Sequence, residues 1–186
     1  MTGGNKVVAV VGMPGCGKSE VVRCFEEAGF SRVYFGDVVF DRMKEEGLEI
    51  NERNEQMTRE KLRAEHGMGV VAKRSLPKIE SFLEKGNVVV ESMYSWEEYL
   101  ILKEKYGESF KVVAVYSSPG TRYERLGTRN VRPLNPDDAR SRDYTQLANI
   151  NTGGPIVMAD FTLVNEGSLE ELRERTKAFI KTMTTE

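Results

Sequence analysis

Residues 7–20 read VVAVVGMPGCGKSE, five uninterrupted apolar residues running into a glycine-rich stretch that ends Gly17, Lys18, Ser19. A short, β-branched apolar run is the pattern of a strand covered on both faces of a parallel sheet. The glycine-rich stretch has the spacing Gly, four residues, Gly-Lys-Ser, from Gly12 to Ser19. Composition alone produces such a match in a chain of this length on the order of once in 100. The flanks add weight: an amphipathic run from Lys18 puts Val21, Val22, Phe25 and Ala28 on one helical face, and Gly29 stops it. A glycine turn with a surface lysine is the competing reading, and the strand before and helix after the motif argue against it.

Each residue type in the motif then has a task. Gly12, Gly15 and Gly17 allow dihedrals that turn successive N–H groups into one concavity, with Cys16 as a small residue inside the loop. The helix start adds unpaired N–H groups and a positive dipole end. Lys18 reaches toward outer phosphates, and the Ser19 hydroxyl suits Mg2+. A guanine-reading Asn-Lys-x-Asp is missing after the fourth strand, where the chain reads Ser117, Ser118, Pro119, Gly120.

The totals bound the rest. At 186 residues and 39% hydrophobic the chain suits one domain with a real core, residues 1–186. A net charge of -2 gives no overall field for nucleic acid or anionic membrane. Two cysteines and one histidine exclude a disulfide scaffold and a structural zinc site. No signal-like or membrane-length apolar run occurs, so a cytoplasmic location is expected. Apolar helix faces leave monomer and homodimer both open.

Further strands are expected at Val88–Val90 and Val112–Tyr116, with weaker candidates at Arg32–Phe35 and Phe161–Val164. Leu48 to Glu84 reads as polar helices, and Ser168 with Glu171 forms a capping box ahead of a last helix. The segment Arg129–Ala139, with two prolines and no apolar period, reads as a loop. Strands separated by helices give an α/β sheet.

Asp37, in Phe35-Gly36-Asp37 after the second strand, can take a proton from an attacking hydroxyl, hold Mg2+ through water, or simply cap the helix from Val38. Glu91 ends the third strand, where an acid orients a metal-bound water or a substrate hydroxyl, or is solvated. Arg122, Arg125 and Arg129 share a helical face, with Arg132 next in the series and Arg140 and Arg142 beyond. They suit a water-excluding lid that offsets phosphoryl charge. A solvated face or a small nucleic-acid patch are the alternatives, the latter opposed by net acidity.

These segments together resemble the P-loop kinases of small nucleotides, which include adenylate kinase and dephospho-coenzyme A kinase. They are more similar still to an archaeal group of adenylate-kinase-related P-loop proteins. The matching stretches are VVGMPGCGKSE, FGDVV, VVVES, VYSSPGTRYERLGTR and ADFTLVNEGSLEEL, nearly end to end. The resemblance implies a P-loop NTPase fold: a five-stranded parallel sheet of order 2-3-1-4-5 flanked by helices. It also implies a helical acceptor region at about 36–85 and a lid at about 121–145. It implies an ATP-dependent phosphotransferase using Mg2+, with a nucleotide-like acceptor such as a nucleoside monophosphate or dephospho-coenzyme A. The nucleotide would lie on Gly12, Gly15, Cys16, Gly17, Lys18, Ser19 and Glu20, its adenine near Asn165, and the metal on Ser19 and Glu91. Lys18, Asp37, Arg125 and Arg129 would carry catalysis; Asp37, Arg42, Glu91 and Tyr94 would meet the acceptor. Two departures stand out. Adenylate kinases have an arginine three residues after the aspartate, where this chain has Phe40, and the archaeal group reads Asp-Gly-x-Arg where this chain has Glu91, Ser92, Met93, Tyr94. Either Arg42, Arg53 or Arg59 supplies the missing charge, or the acceptor differs, or the protein binds ATP as a regulator or slow ATPase. Tyr94 and Trp96 offer rings for stacking, or a buried aromatic pair.

Overall fold

The computed structural model describes residues 4–130 and 132–185. Five strands, β1 (Val7–Val11), β2 (Ser31–Tyr34), β3 (Val88–Glu91), β4 (Phe110–Tyr116) and β5 (Phe161–Val164), form one sheet in the order β2-β3-β1-β4-β5. All pairs are parallel, with Val7 opposite both Val88 and Phe110, Tyr34 opposite Glu91, and Tyr116 opposite Val164. The C-terminal ends of the strands therefore share one rim, which carries Gly12, Phe35, Glu91, Ser117 and Asn165 within a residue of a strand end.

Alternation along β1 feeds two cores. Val7, Ala9 and Val11 pack under α2 (Asp37–Glu45), α4 (Val70–Leu83) and α5 (Trp96–Tyr106). Val8 and Val10 pack against Phe25 and Cys24 of α1 (Lys18–Glu27) and Leu172 and Ile180 of α9 (Leu169–Thr185). Cys24, not Ala28, completes the buried face of α1: Ala28 is exposed at its C-terminus. The polar stretch after Leu48 is α3 (Glu52–His66), capped by Asn51 accepting from Asn54 N, followed by α4. Ser95 and Glu98 form a capping box on α5, and Ser168 and Glu171 exchange the expected pair of bonds at the start of α9.

The loop expected over Arg129–Ala139 is shorter. After α6 (Pro119–Thr128) the chain is irregular only to Asn135, whose side chain accepts from Asp138 N at 2.9 Å and starts α7 (Pro136–Ile150); Val131 lies outside the described residues. No apolar period announced α7 because its buried residues are Ala139 and the charged Asp143. A short α8 (Gly153–Val157) leads to β5. Asp37 does not cap α2: Gly36 is the capping residue and Asp37 the first helical one.

Candidate functional site

The loop from Gly12 to Ser19 is clamped from behind. Gly12 has φ +145°, and a Cβ there would run into the Val115 carbonyl. Gly17, left-handed at φ +103°, opens α1, and a Cβ on it would sit 2.5 Å from Asn165 Nδ2. Asn165 Nδ2 donates to Cys16 O at 2.9 Å, and Arg122 Nη1 donates to Pro14 O at 3.1 Å. With carbonyls drawn toward the protein and α1 beginning at Lys18, unpaired first-turn N–H groups face the rim. Lys18 Nζ folds back to Met13 O at 3.1 Å. Cys16 is fully buried beneath the loop.

Ser19 Oγ lies 3.5 Å from Glu91 Oε1, while Arg32 holds the other carboxylate oxygen at 2.7 Å through Nε. A hydroxyl and a carboxylate are hard oxygen donors of the kind Mg2+ takes beside substrate phosphates, and no cluster of three or more His, Cys, Asp or Glu competes for a metal among the described residues. Glu20 is engaged elsewhere, paired to Arg173 at 2.9 Å and Arg23 at 3.2 Å, which ties α1 to α9.

The arginine series separates by depth. Arg122 is buried, in a two-pronged pair with Asp143 of α7 at 2.9 and 2.6 Å. Arg125 donates to Ser117 Oγ, Asn165 O and Gly167 O at 3.1, 2.9 and 3.0 Å, bracing the turn after β5. Arg129 Nε donates to Arg132 O at 2.7 Å; burial and the charge of Arg142 lower its pKa, and its Nη2 is buried without a partner. Arg132 has a left-handed backbone, φ +51°, and pairs with Glu55 of α3 at 3.3 Å.

Between α3, α7 and the ends of β2 and β3 lies a cavity of about 190 Å³. Its wall carries Arg59, Arg63, Arg132 and Arg142 against two carboxylates, Glu55 and Glu98, with Tyr34, Phe40 and Tyr94 as its aromatic side. It opens into a wider cleft between α3 and α7 that shares the four arginines, Glu55 and Gln146. Both departures, Phe40 and Tyr94, thus fall in one wall. Ser92, which also lines the cavity, stands at φ +70° and accepts from the Tyr94 hydroxyl at 3.1 Å. Trp96 is absent from this wall and stacks on Tyr99 at 4.9 Å.

Of the four acceptor candidates only Tyr94 lines the cavity: Glu91 stands beside Ser19, and Arg42 and Asp37 are held by other partners. Arg42 is taken by Glu46 at 2.6 Å and Glu65 at 3.8 Å, and Asp37 by Lys78 at 2.8 Å. The structure brings Arg59 into the wall, along with Arg63, Arg132, Arg142 and Gln146. Spacing carries a trace of this: Arg59 and Arg63 are four apart on one face of α3.

Residues 8–146 match the family described as AAA domain. A UPF0200 protein of Thermococcus gammatolerans is 36% identical over 179 residues, covering 94% of each chain. The chain belongs to the UPF0200 family. Among solved structures, a dephospho-CoA kinase from Campylobacter jejuni superposes with TM-score 0.59 at 14% identity over 98% of this chain and 99% of its own. A gluconokinase from Sinorhizobium meliloti gives 0.58 at 16% identity over 97% and 94%. At such identities the shared feature is the fold, that of small P-loop kinases, and the UPF0200 chain builds it on its five-strand parallel sheet of order 2-3-1-4-5.

Proposed function

We propose that the chain moves the γ-phosphoryl group of ATP to a small anionic, nucleotide-like acceptor held in the arginine-lined cavity. The observation that carries this is adjacency: Ser92 lines the cavity and directly follows Glu91, whose carboxylate is 3.5 Å from Ser19 at the phosphate loop. One phosphate-gripping site and one cationic pocket thus meet on a single rim.

In this reading the loop amides and Lys18 hold the polyphosphate, and Ser19 with Glu91 would hold Mg2+, which supplies charge neutralisation when bound. An acceptor oxygen attacks the γ-phosphorus as the bond to the β-γ bridging oxygen breaks, and ADP leaves. If the acceptor is itself a phosphate ester, its oxygen is already anionic and no general base is required. That suits a site in which Asp37 is occupied by Lys78 away from the cavity wall. Arg132, Arg142 and Arg129, whose Nη2 is without a partner, would offset charge spreading in the transition state. Catalysis is then positioning and electrostatics.

ADP release measured across nucleoside monophosphates and dephospho-coenzyme A tests the proposal; saturable, acceptor-dependent turnover is expected. A second reading, an ATP-binding regulator or slow ATPase, draws on Phe40 and Tyr94 standing where acceptor-gripping arginines were expected. Turnover indifferent to every acceptor, with tight ATP binding, would favour it.

A further inference from the structure

Two buried polar atoms in the cleft have no hydrogen-bond partner: Arg63 Nε and Gln146 Oε1. Both residues line the inner cavity and the wider cleft, Arg63 from α3 and Gln146 from the facing α7. The Arg63 side chain is 10% exposed, and its closest carboxylate, the fully buried Glu98, stays 3.8 Å away, beyond hydrogen-bond length. Glu98 is itself spent on Tyr94 N and Ser95 N, at 2.8 and 3.1 Å through Oε2. Glu98 therefore orients the Arg63 guanidinium electrostatically without satisfying its Nε. Buried donors and acceptors are ordinarily paired, so an orphaned donor and an orphaned acceptor on two helices that line one cleft point to a ligand that supplies both partners.

We infer that Arg63 and Gln146 are the specificity-determining pair for the acceptor, Arg63 donating to an anionic oxygen and Gln146 accepting from a hydroxyl or N–H beside it. This rests on the phosphotransfer reading for its meaning, but not for its test. The substrate class it names is a phosphate monoester bearing neighbouring hydroxyl or N–H donors, as opposed to a bare phosphate or an alkyl phosphate. The rest of the wall agrees: the four arginines outnumber the two carboxylates, and Tyr34, Phe40 and Tyr94 give a ring or sugar an apolar side to lie on.

The test is equilibrium binding without ATP, using methyl phosphate and ribose 5-phosphate as probes on the whole chain. The native protein should bind ribose 5-phosphate about tenfold more tightly, the worth of one neutral hydrogen bond. Gln146→Met, close in volume, should erase that preference while leaving methyl phosphate affinity unchanged; Arg63→Met should weaken both probes. Circular dichroism checks that each variant is folded. A folded Gln146→Met protein that keeps the preference, or that loses both probes equally, overturns the assignment, as does a native protein that does not distinguish them. Should discrimination hold while no acceptor ever receives phosphate from ATP, the pair stands and the phosphotransfer reading falls.

Discussion

Lys18 contacts the rest of the fold through one carbonyl, Met13 O at 3.1 Å, and a long approach to Cys16 Sγ at 3.9 Å. Its removal should therefore spare the fold and damage the grip on phosphate. Lys18→Ala is expected to lower the proposed MgATP-dependent phosphotransfer about 100-fold, on the scale of losing one preorganised charge-stabilising donor, with the thermal midpoint almost unmoved; a turnover assay and a melting curve read the two effects separately. Ser92 makes the opposite case, a residue whose backbone is uncomfortable. At φ +70° it bears a Cβ in the left-handed region, and its hydroxyl accepts from Tyr94. Ser92→Ala and Ser92→Gly both lose that bond, but only glycine relieves the backbone. The glycine variant should be the more stable of the two by about 1 kcal/mol in urea denaturation. The phosphate loop was legible in the sequence because its chemistry is local, all of it between Gly12 and Ser19. Arg63 and Gln146 were not, because helices far apart in the chain bring them to one cleft.

At the scale of elements, the helical pair α6 and α7 is riveted by Arg122 and Asp143, with side chains only 5% and 6% exposed. The same guanidinium reaches the phosphate loop through Pro14 O and the end of β4 through Ser117 O. Asp143→Ala leaves that charge buried and unpaired, and should cost about 3–5 kcal/mol in urea denaturation. The double variant Arg122→Met, Asp143→Leu should recover only part of it: an apolar pair replaces the ion pair at little cost, but Pro14 O and Ser117 O lose their donor. From sequence the arginines at spacings of three and four looked like one functional face. Periodicity reports which way a side chain leaves its own helix; it says nothing of what is packed opposite. Arg122 met a carboxylate, Arg125 a set of carbonyls, and Arg132 came to the cavity from the connecting segment. The extent of α7 was hidden for a related reason: its inward side is Ala139 and a charge, so the apolar signal that marks a buried helix face was missing. The central strands β1 and β3 were read nearly to the residue because their runs of apolar, β-branched residues mark a sheet interior, while β4 begins two residues earlier than its valines announced.

For the whole molecule, the buried Glu98 adds a pH dependence of its own. Burial raises its pKa above the ordinary 4.5, backbone donation from Tyr94 and Ser95 and the charge of Arg63 opposing this only in part. The folded state then binds this proton more tightly than the unfolded one, so the contribution is fully present below pH 4.5 and lost as pH rises through the raised value. Glu98→Gln removes the titration while retaining an oxygen for the capping bonds. The melting temperature of the variant minus that of the native protein should accordingly increase from pH 4 upward. Glu46 and Glu166 work the other way: Lys61 and Arg42 bonds lower the first, Thr121 and Ser118 bonds the second, and their exposed, small contributions fade on acidification. Acceptor binding in a pocket with more arginines than carboxylates should weaken with salt, even though the chain carries a net charge of -2.

The central place of β1 has a bearing on synthesis. Its neighbours are β3 and β4, so Val7 waits for Val88 and Phe110 before it has any partner, and the clamp on Cys16 waits further, for Asn165. A growing chain makes the loop long before it makes the residue that clamps it, 149 positions further on. A ligand of the loop therefore meets its finished shape only once Asn165 has been made and has folded back onto Cys16.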